Sequence, residues 1–412
     1  MKISALDAEI RKKEGRASLS RADIEAMQLE KLNAVLARER ARGGFYAAVP
    51  ERLQTLDELR RLPFTTAEEL SARGGAMLLL SQSEVRRVIT GETSGTSGLV
   101  KRVFYTARDC ENTVEFFAAG LSELVSHGGV TLIAMPFSGP YGLGELIAQA
   151  IERLGARPVK AGASLSYGEY GALLRRERPD SFVGMTAQLL SLLRLFGRGT
   201  LRRALVSGDA CPPALLSLIG GLGVELFPHY GSREMALGGA VTCPAHCGMH
   251  LREEHVIAEI IGEDGAPLQR GESGELVITT VGMEAMPLIR YRTGDTARLL
   301  PGLCPCGSAL ARLDGVCRRD NPMEALDAAL FALPELIDYR AERAGDALRL
   351  TALTLGEPES ARIRAAAAGL FPGKRIEVGA RRCKMDDRRL YAGKRALEKG
   401  EGNVLQDSGQ LL

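Results

Sequence analysis

The segment from Thr93 to Lys101 places four hydroxyl side chains and two glycines shortly before a lysine, and these residue types together can bind an anion. Glycines let backbone N–H groups approach a phosphate, hydroxyls donate to its oxygens, and the lysine adds positive charge. The segment lacks the Gly-Lys-Ser/Thr ending of a Walker loop, which argues against a P-loop NTPase. A flexible Ser/Gly loop is the alternative interpretation. The candidate phosphate-binding residues are Thr93, Ser94, Gly95, Thr96, Ser97, Gly98 and Lys101.

Two later segments hold side chains that suit the other parts of a nucleotide. In Tyr230-Gly231-Ser232-Arg233-Glu234, the aromatic ring can stack on a base and the glutamate can hold a magnesium ion. In Tyr291-Arg292-Thr293-Gly294-Asp295, the aspartate can accept hydrogen bonds from both hydroxyls of a ribose. Taken alone, the first segment is more typical of an ordinary strand-to-loop turn, and the aspartate could equally cap a turn of its own backbone.

Cysteine and histidine side chains gather in two short clusters. The first contains Cys243, Cys247 and the histidines at 246 and 250, and the second contains Cys304 and Cys306. Tetrahedral zinc sites take their ligands from two such clusters, so the layout indicates a structural zinc. Buried thiols without a metal are the alternative.

The chain between Val88 and about residue 300 alternates short β-branched runs with amphipathic helical patterns, which predicts an α/β protein with a largely parallel sheet. Two further strands, Val256 to Ile261 and Gly274 to Thr280, are separated by a turn-rich stretch and predict a hairpin-like unit. Other predicted strands cover 130–135, 181–185 and 203–206, and predicted helices cover 111–125, 143–154, 213–219 and 323–331.

Composition excludes several classes of protein. The 412 residues carry 53 Lys plus Arg against 51 Asp plus Glu, so a net charge of +2 gives no reason to expect binding to nucleic acid or a membrane surface. No apolar run approaches the about 20 residues that cross a bilayer, and the first residues do not resemble a signal peptide. A cytoplasmic location is therefore expected, with the eight cysteines as thiols or metal ligands.

In this order, the three nucleotide-type segments resemble those of the adenylate-forming superfamily, and most closely its phenylacetate–CoA ligase branch. Leu62-Pro63-Phe64-Thr65-Thr66, the strand from Gly274 to Thr280 and Cys304-Pro305-Cys306-Gly307 support the resemblance. It implies a large N-terminal domain with mixed or parallel sheets over residues 1–316, and a small, mobile α+β domain with a frayed tail over 317–412. It also implies ATP-dependent activation of an acid, one that is aromatic and phenylacetate-like, to an acyl-adenylate. The acyl group then passes to coenzyme A, with AMP and pyrophosphate released.

The resemblance assigns a role to each matching position. The 93–101 segment would gather the β- and γ-phosphates of ATP, Tyr230 would lie against the adenine and Asp295 would hold the ribose. Glu234 would bind Mg²⁺, and Lys394 near the C-terminus would reach the reacting oxygens. The remaining assignments are Gly231 and Ser232 near the α-phosphate, Ser207, Gly208 and Asp209 beside the adenine, Phe137, Tyr141 and Gly142 at the acyl pocket, and Cys243, His250, Cys304 and Cys306 on zinc, with Cys247 as a substitute.

The sequence departs from the family pattern at the hinge between the domains. Arg319 matches the usual hinge arginine, with Arg318 as the alternative, but the hairpin that normally follows is missing because a helix starts at Met323. That hairpin helps to place coenzyme A in the family, so an adenylating enzyme with another acceptor is one alternative. A non-catalytic nucleotide-binding protein is the other, although the intact lysines and carboxylates argue against it. A homodimer is common in the branch.

Overall fold

The computed structural model describes residues 3–92, 100–209, 211–319, 322–391 and 395–399. It confirms the α/β fold class. Three helices begin the chain, and the third starts at a capping box, where Thr66 Oγ1 accepts from the Glu69 N–H at 3.2 Å and the Glu69 carboxylate accepts from the Thr66 N–H at 2.9 Å. No helix in the described ranges is long and apolar enough to cross a bilayer. The helices are α1 (Ala5–Lys13), α2 (Arg21–Arg42) and α3 (Ala67–Arg73).

An antiparallel pair of strands flanks the predicted phosphate-binding segment. Strand β1 (Arg87–Glu92) pairs with β2 (Val100–Tyr105), with Glu92 opposite Val100. Residues 93–99 lie outside the described residues. Lys101 is the second residue of β2 and is buried.

Half of the main sheet is parallel, and helices connect its strands. Burial on both faces explains why the inner strands are short and mostly apolar, whereas the edge strand Arg157–Lys160 is largely polar and exposed. The helices are α4 (Ala107–Leu121), α5 (Leu143–Arg153), α6 (Tyr167–Glu177), α7 (Thr186–Phe196) and α8 (Pro213–Gly221). The parallel strands, in spatial order, are β4 (Arg157–Lys160), β3 (Val130–Ile133), β5 (Ser181–Gly184), β6 (Arg203–Val206) and β7 (Glu225–Tyr230).

The same sheet continues from β7 in antiparallel fashion, so the expectation of a largely parallel sheet holds only for the first half. The predicted pair of strands is confirmed, with Val256 opposite Thr280. The spatial order beyond β7 is β8 (Ala240–Thr242), β9 (Met249–Leu251), β13 (Arg312–Arg318), β12 (Tyr291–Leu299), β11 (Ser273–Thr280) and β10 (Val256–Ile261).

The chain after β13 builds a second, four-stranded sheet with two helices. Its helix α9 begins at Met323, five positions after β13 ends at Arg318, which leaves little room for a hairpin between them. Its elements are α9 (Met323–Leu330), β14 (Leu336–Ala344), β15 (Ala347–Thr354), α10 (Ser360–Ala368), β16 (Arg375–Arg382) and β17 (Glu398–Lys399), with strand order β16-β15-β14-β17.

Helix α7 joins the second sheet to the first. Its leucines share one buried apolar cluster with Leu336 and Ile337 of β14, and Ser191 Oγ donates to the Ile337 carbonyl at 2.6 Å. Arg194 donates to the Phe331 carbonyl at 2.6 Å. Burial of α7 between the two units explains why seven of its eleven residues are apolar.

Candidate active site

A cleft of about 900 Å³ opens where β6 and β7 end, the edge of an α/β sheet at which ligands usually bind. It brings together residues from β2, β7, β12 and β13, from the loop that follows β6, and from the second domain. Nine of the predicted residues line it: Lys101, Ser207, Gly208, Asp209, Tyr230, Gly231, Ser232, Glu234 and Asp295.

Lys101 and Glu234 form a buried ion pair on one wall of the cleft. The Lys101 ammonium also donates to the Tyr291 hydroxyl at 2.9 Å. Burial alone would raise the pKa of Glu234, but the Lys101 charge outweighs it and holds the pKa below its usual value. The Glu234 carboxylate is therefore ionised and available as a cation ligand.

Asp295 lies opposite, on β12, and both of its carboxylate oxygens accept hydrogen bonds. Tyr230 donates to Oδ2 at 2.8 Å, and Arg318 donates to Oδ1 at 3.1 Å. Asp295, Tyr230 and Arg318 thus lie together at the C-terminal end of β7. Of the two candidate hinge arginines, Arg318 contacts Asp295, whereas Arg319 lies 3.7 Å from the Glu275 carboxylate and is outside the described lining of the cleft.

Two glycines shape the cleft because they have no side chain. A Cβ on Gly231 would lie 2.1 Å from the Leu237 carbonyl oxygen, so no other residue fits beside Tyr230 without movement. Gly208 has φ of +88°, a conformation that residues with a Cβ rarely adopt. Gly231 is thus required by the close approach of the Leu237 backbone, and Gly208 by its own backbone conformation.

Three buried polar atoms of the cleft lack a hydrogen-bond partner among the described residues: Ser232 Oγ, His229 Nε2 and Asp209 Oδ2. Buried polar atoms are normally paired, so Ser232 Oγ and His229 Nε2 each leave room for a contact from a ligand or a water, whereas Asp209 Oδ2 lies 3.9 Å from the Arg389 guanidinium. His229 is absent from the residues predicted above. It directly precedes Tyr230, and a strand position gave no reason to single it out.

The second domain reaches the cleft through Arg395. Its backbone N–H donates to Asp209 Oδ1 at 2.8 Å, and its buried side chain is paired with Asp338 at 2.9 Å and Asp327 at 3.2 Å. The residue before it, Lys394, lies outside the described residues. The predicted catalytic lysine therefore directly precedes a residue that contacts the cleft wall.

The predicted acyl-pocket residues Phe137, Tyr141 and Gly142 do not line the cleft within the described part of the chain. The Phe137 ring packs under the first turn of α5, where a Cβ on Gly144 would lie 2.9 Å from it. Tyr141 packs, half-buried, on the apolar core of the main sheet. Packing against α5 thus accounts for the Phe137 ring, and packing on the core accounts for Tyr141.

Cys243, His250, Cys304 and Cys306 come together as the resemblance implied. Their four ligand atoms lie within 4.8 Å of one another and all four residues are buried. The Cys243 and Cys304 sulfurs are 3.8 Å apart, which suits two thiolates on one tetrahedral zinc at about 2.3 Å each. Burial lowers the pKa of His250 to about 4, so its imidazole is neutral, the form that binds a metal.

Arg312 holds the two cysteine loops together. Its guanidinium donates to the Cys247 carbonyl at 3.0 Å and to the Pro301 carbonyl at 2.9 Å. Cys247 Sγ lies 2.9 Å from the same guanidinium, so Cys247 has a role other than completing the four-residue cluster. Arg312 opens β13, whose far end carries Arg318 to Asp295.

Comparison with known sequences agrees with this geometry. A family model described as "AMP-binding enzyme" matches residues 93–285. A phenylacetate-coenzyme A ligase of Thermus thermophilus is 28% identical over 352 residues, which make up 78% of this chain and 78% of that protein. A phenylacetate-coenzyme A ligase of Escherichia coli is 31% identical over 292 residues, 66% of this chain and 64% of that protein.

Comparison with solved structures identifies the same fold. A 2-hydroxyisobutyryl-CoA ligase in the postadenylation state superposes with a TM-score of 0.75 at 18% identity, over 93% of this chain and 91% of that one. The same ligase in the thioesterification state gives a TM-score of 0.66 at 19% identity, over the same shares of the two chains.

Proposed function

The chain belongs to the adenylate-forming superfamily, as a phenylacetate–CoA ligase-like member, and we propose that it activates a carboxylic acid with ATP and passes the acyl group to coenzyme A. In the first step a carboxylate oxygen attacks the α-phosphorus, and the bond to pyrophosphate breaks. In the second step the coenzyme A sulfur attacks the acyl carbon, and AMP leaves.

One observation carries this proposal: Lys101, Glu234 and Asp295 come from distant parts of the chain and line a single cleft. Phosphoryl transfer needs charge stabilisation and positioning more than acid–base chemistry, and this set of side chains provides both. Asp295 is the ribose ligand, Tyr230 lies against the adenine and Lys101 contacts the phosphates. Residues 93–98 and Lys394 are assigned to the phosphates and to the reacting oxygens.

The residues fit both metals that the family implies. Glu234 is buried, ionised and in the cleft, so it would hold Mg²⁺, which neutralises phosphate charge when bound. The four-residue cluster of Cys243, His250, Cys304 and Cys306 would hold Zn²⁺ in a structural role, because four protein ligands leave no open position for substrate.

The acid is an arylacetic acid in this proposal, because the relatives are phenylacetate-coenzyme A ligases. The cleft is large enough for a nucleotide and a small acyl group together. We also propose a cytoplasmic location, where coenzyme A and ATP are both present, and cell fractionation tests it.

The test is ATP–pyrophosphate exchange with a panel of aromatic and short aliphatic acids, followed by addition of coenzyme A. Exchange with an arylacetic acid, and then equimolar AMP and acyl thioester, are expected. The absence of exchange with every acid, in protein that binds ATP, would contradict the proposal.

A second candidate differs only in the acceptor. The short connection between β13 and α9 leaves little room for the family's hinge hairpin, and this is the observation in favour of a carrier thiol or an amine as the acceptor. Exchange without thioester formation on addition of coenzyme A would favour this alternative.

A further inference from the structure

His229 is a buried cleft residue that neither the nucleotide nor a metal accounts for. It is 7% exposed, its Nδ1 lies 2.7 Å from Ser207 Oγ, and its Nε2 has no hydrogen-bond partner in the described part of the chain. A buried polar atom without a hydrogen bond is unfavourable unless a bound molecule supplies that bond. Ser207 also lines the cleft, so the pair belongs to its wall.

The face of β7 from which His229 projects is different from the face used by Tyr230. Successive side chains of a strand point to opposite sides of a sheet. Tyr230 contacts Asp295, so the nucleotide lies on that side. His229 lies instead against α4, with its ring 5.5 Å from that of Phe116 and 5.2 Å from that of Phe117. The part of the ligand that reaches His229 is therefore the acyl group.

The chemistry of the pair defines what it can recognise. Burial lowers the pKa of His229 to about 3, so the imidazole is uncharged at neutral pH. Its Nε2 donates when Ser207 donates to Nδ1, and accepts when Ser207 accepts, because the hydroxyl can rotate. A neutral hydroxyl or amino group matches either state. A second carboxylate does not, since an uncharged ring cannot neutralise it.

We propose that His229, oriented by Ser207, is a specificity-determining residue that hydrogen-bonds a hydroxyl or amino substituent on the acyl part of the acid. The inference rests on the proposed function and names its substrate class: an arylacetic acid with one neutral polar substituent. The two phenylalanines, which are buried and outside the described lining of the cleft, fix the His229 ring, and its Nε2 binds the substituent. Ser207 then belongs to the part of the cleft that binds the carboxylic acid.

The first test compares acids of matched size in the wild-type protein. The panel contains phenylacetate, its three hydroxyl isomers, the aminophenylacetates and the corresponding methyl compounds. One hydroxyl or amino acid is expected to exceed its methyl counterpart in kcat/KM for exchange by roughly tenfold to a hundredfold, the effect of completing one buried polar atom.

The second test removes the polar atom. In His229→Leu the ratio of kcat/KM for the polar acid to kcat/KM for its methyl counterpart is expected to fall toward one. The fall comes from a lower kcat/KM for the polar acid, and the KM for ATP stays unchanged. His229→Gln is expected to keep part of the preference because it retains a polar side chain. The matched control is His127→Leu, the same substitution at an exposed histidine outside the cleft, which is expected to keep the full preference. Circular dichroism checks folding.

Two further results separate this inference from the proposed function. If the methyl compounds match every polar acid, the specificity proposal is wrong while ligase activity stands. If no acid supports exchange, acyl-sulfamoyl-adenosine analogues with and without the substituent still test the site by calorimetry. Equal affinities for the two analogues would overturn the role of His229.

Discussion

Replacing Arg395 by methionine tests how the second domain is held together beside the cleft. The guanidinium is 3% exposed and pairs with two buried carboxylates, Asp327 and Asp338. It also donates to the Tyr339 carbonyl at 3.1 Å and lies 4.4 Å from the centre of the Tyr339 ring. Methionine keeps most of the apolar stem and removes the charge.

The expected loss follows from what remains after the substitution. Removing one partner of a buried ion pair leaves an uncompensated charge, which costs about 3–5 kcal/mol of unfolding free energy. Asp327 keeps its hydrogen bond from the Tyr339 hydroxyl at 2.6 Å, and Asp338 keeps one from the Leu390 N–H at 2.7 Å. These bonds satisfy the oxygens in part, so the lower half of that range is expected.

The pH dependence provides a second readout. Burial raises the pKa of Asp327 and Arg395 opposes that rise, so the pKa should rise further in Arg395→Met. A carboxyl whose folded pKa exceeds its unfolded value costs stability as the pH rises through that interval. Both proteins lose stability alike up to the folded pKa of Asp327 in the wild type. The deficit relative to wild type should therefore grow only as the pH rises above that value, which itself lies above the ordinary aspartate value of about 4.

Because the chain contains no tryptophan, urea unfolding is followed by far-UV circular dichroism, which gives the free energy of unfolding. Hydrogen exchange over β14 shows where in the structure stability is lost. Arg343→Met, an exposed arginine on the same strand, is the control, expected within about 0.5 kcal/mol of wild type. Adding Asp327→Asn and Asp338→Asn to Arg395→Met should recover stability. A loss below about 1 kcal/mol, or a deficit independent of pH, would refute the argument from buried charge.

Three other substitutions test the cleft and the metal cluster. Asp295→Asn should raise the KM for ATP about tenfold or more, with the KM for the acid unchanged, because it weakens charged hydrogen bonds to the ribose; an unchanged ATP KM in exchange assays would remove Asp295 from the site. Cys306→Ser should lower bound zinc below one per chain by elemental analysis and lower the melting temperature; a wild-type protein free of zinc would remove the ligand set. Lys394→Ala should lower the exchange rate about 10²-fold or more, the usual effect of losing one electrostatic contact in the transition state; unchanged exchange would contradict its assignment.

Local patterns predicted several elements well, although the helix expected at 111–125 lies four residues earlier, at Ala107–Leu121, and α6 and α7 were not predicted. Strands 203–206 and 256–261 match to the residue, and the helix from Leu143 ends one residue earlier than expected. Thr66 and Glu69 form a cap that depends only on neighbours in the chain. The antiparallel half of the sheet was not predicted beyond one hairpin, because pairings such as β13 with β9 join segments about sixty residues apart and leave no local pattern.

The residues of the candidate site also divide into those that local sequence predicted and those that it did not. Residues in contiguous segments, such as Tyr230 and Glu234, could be found because their order along the chain is informative. His229 and Arg395 could not, since their roles arise from contacts with Ser207 and with Asp327 and Asp338. Phe137 matched a motif, but its ring packs against α5, and a sequence pattern does not specify which way a ring turns.

The wide separation of the cleft residues along the chain also governs when the site can form during synthesis. Tyr230 meets a partner 65 residues later, and Lys101 meets Tyr291, 190 residues later. Contacts of such long range close slowly and only after the last contributing strand is available. On the ribosome, the nascent protein cannot assemble its nucleotide site until β12 and β13 have emerged. A prematurely released chain that ends before them would carry most of the motif residues and no site.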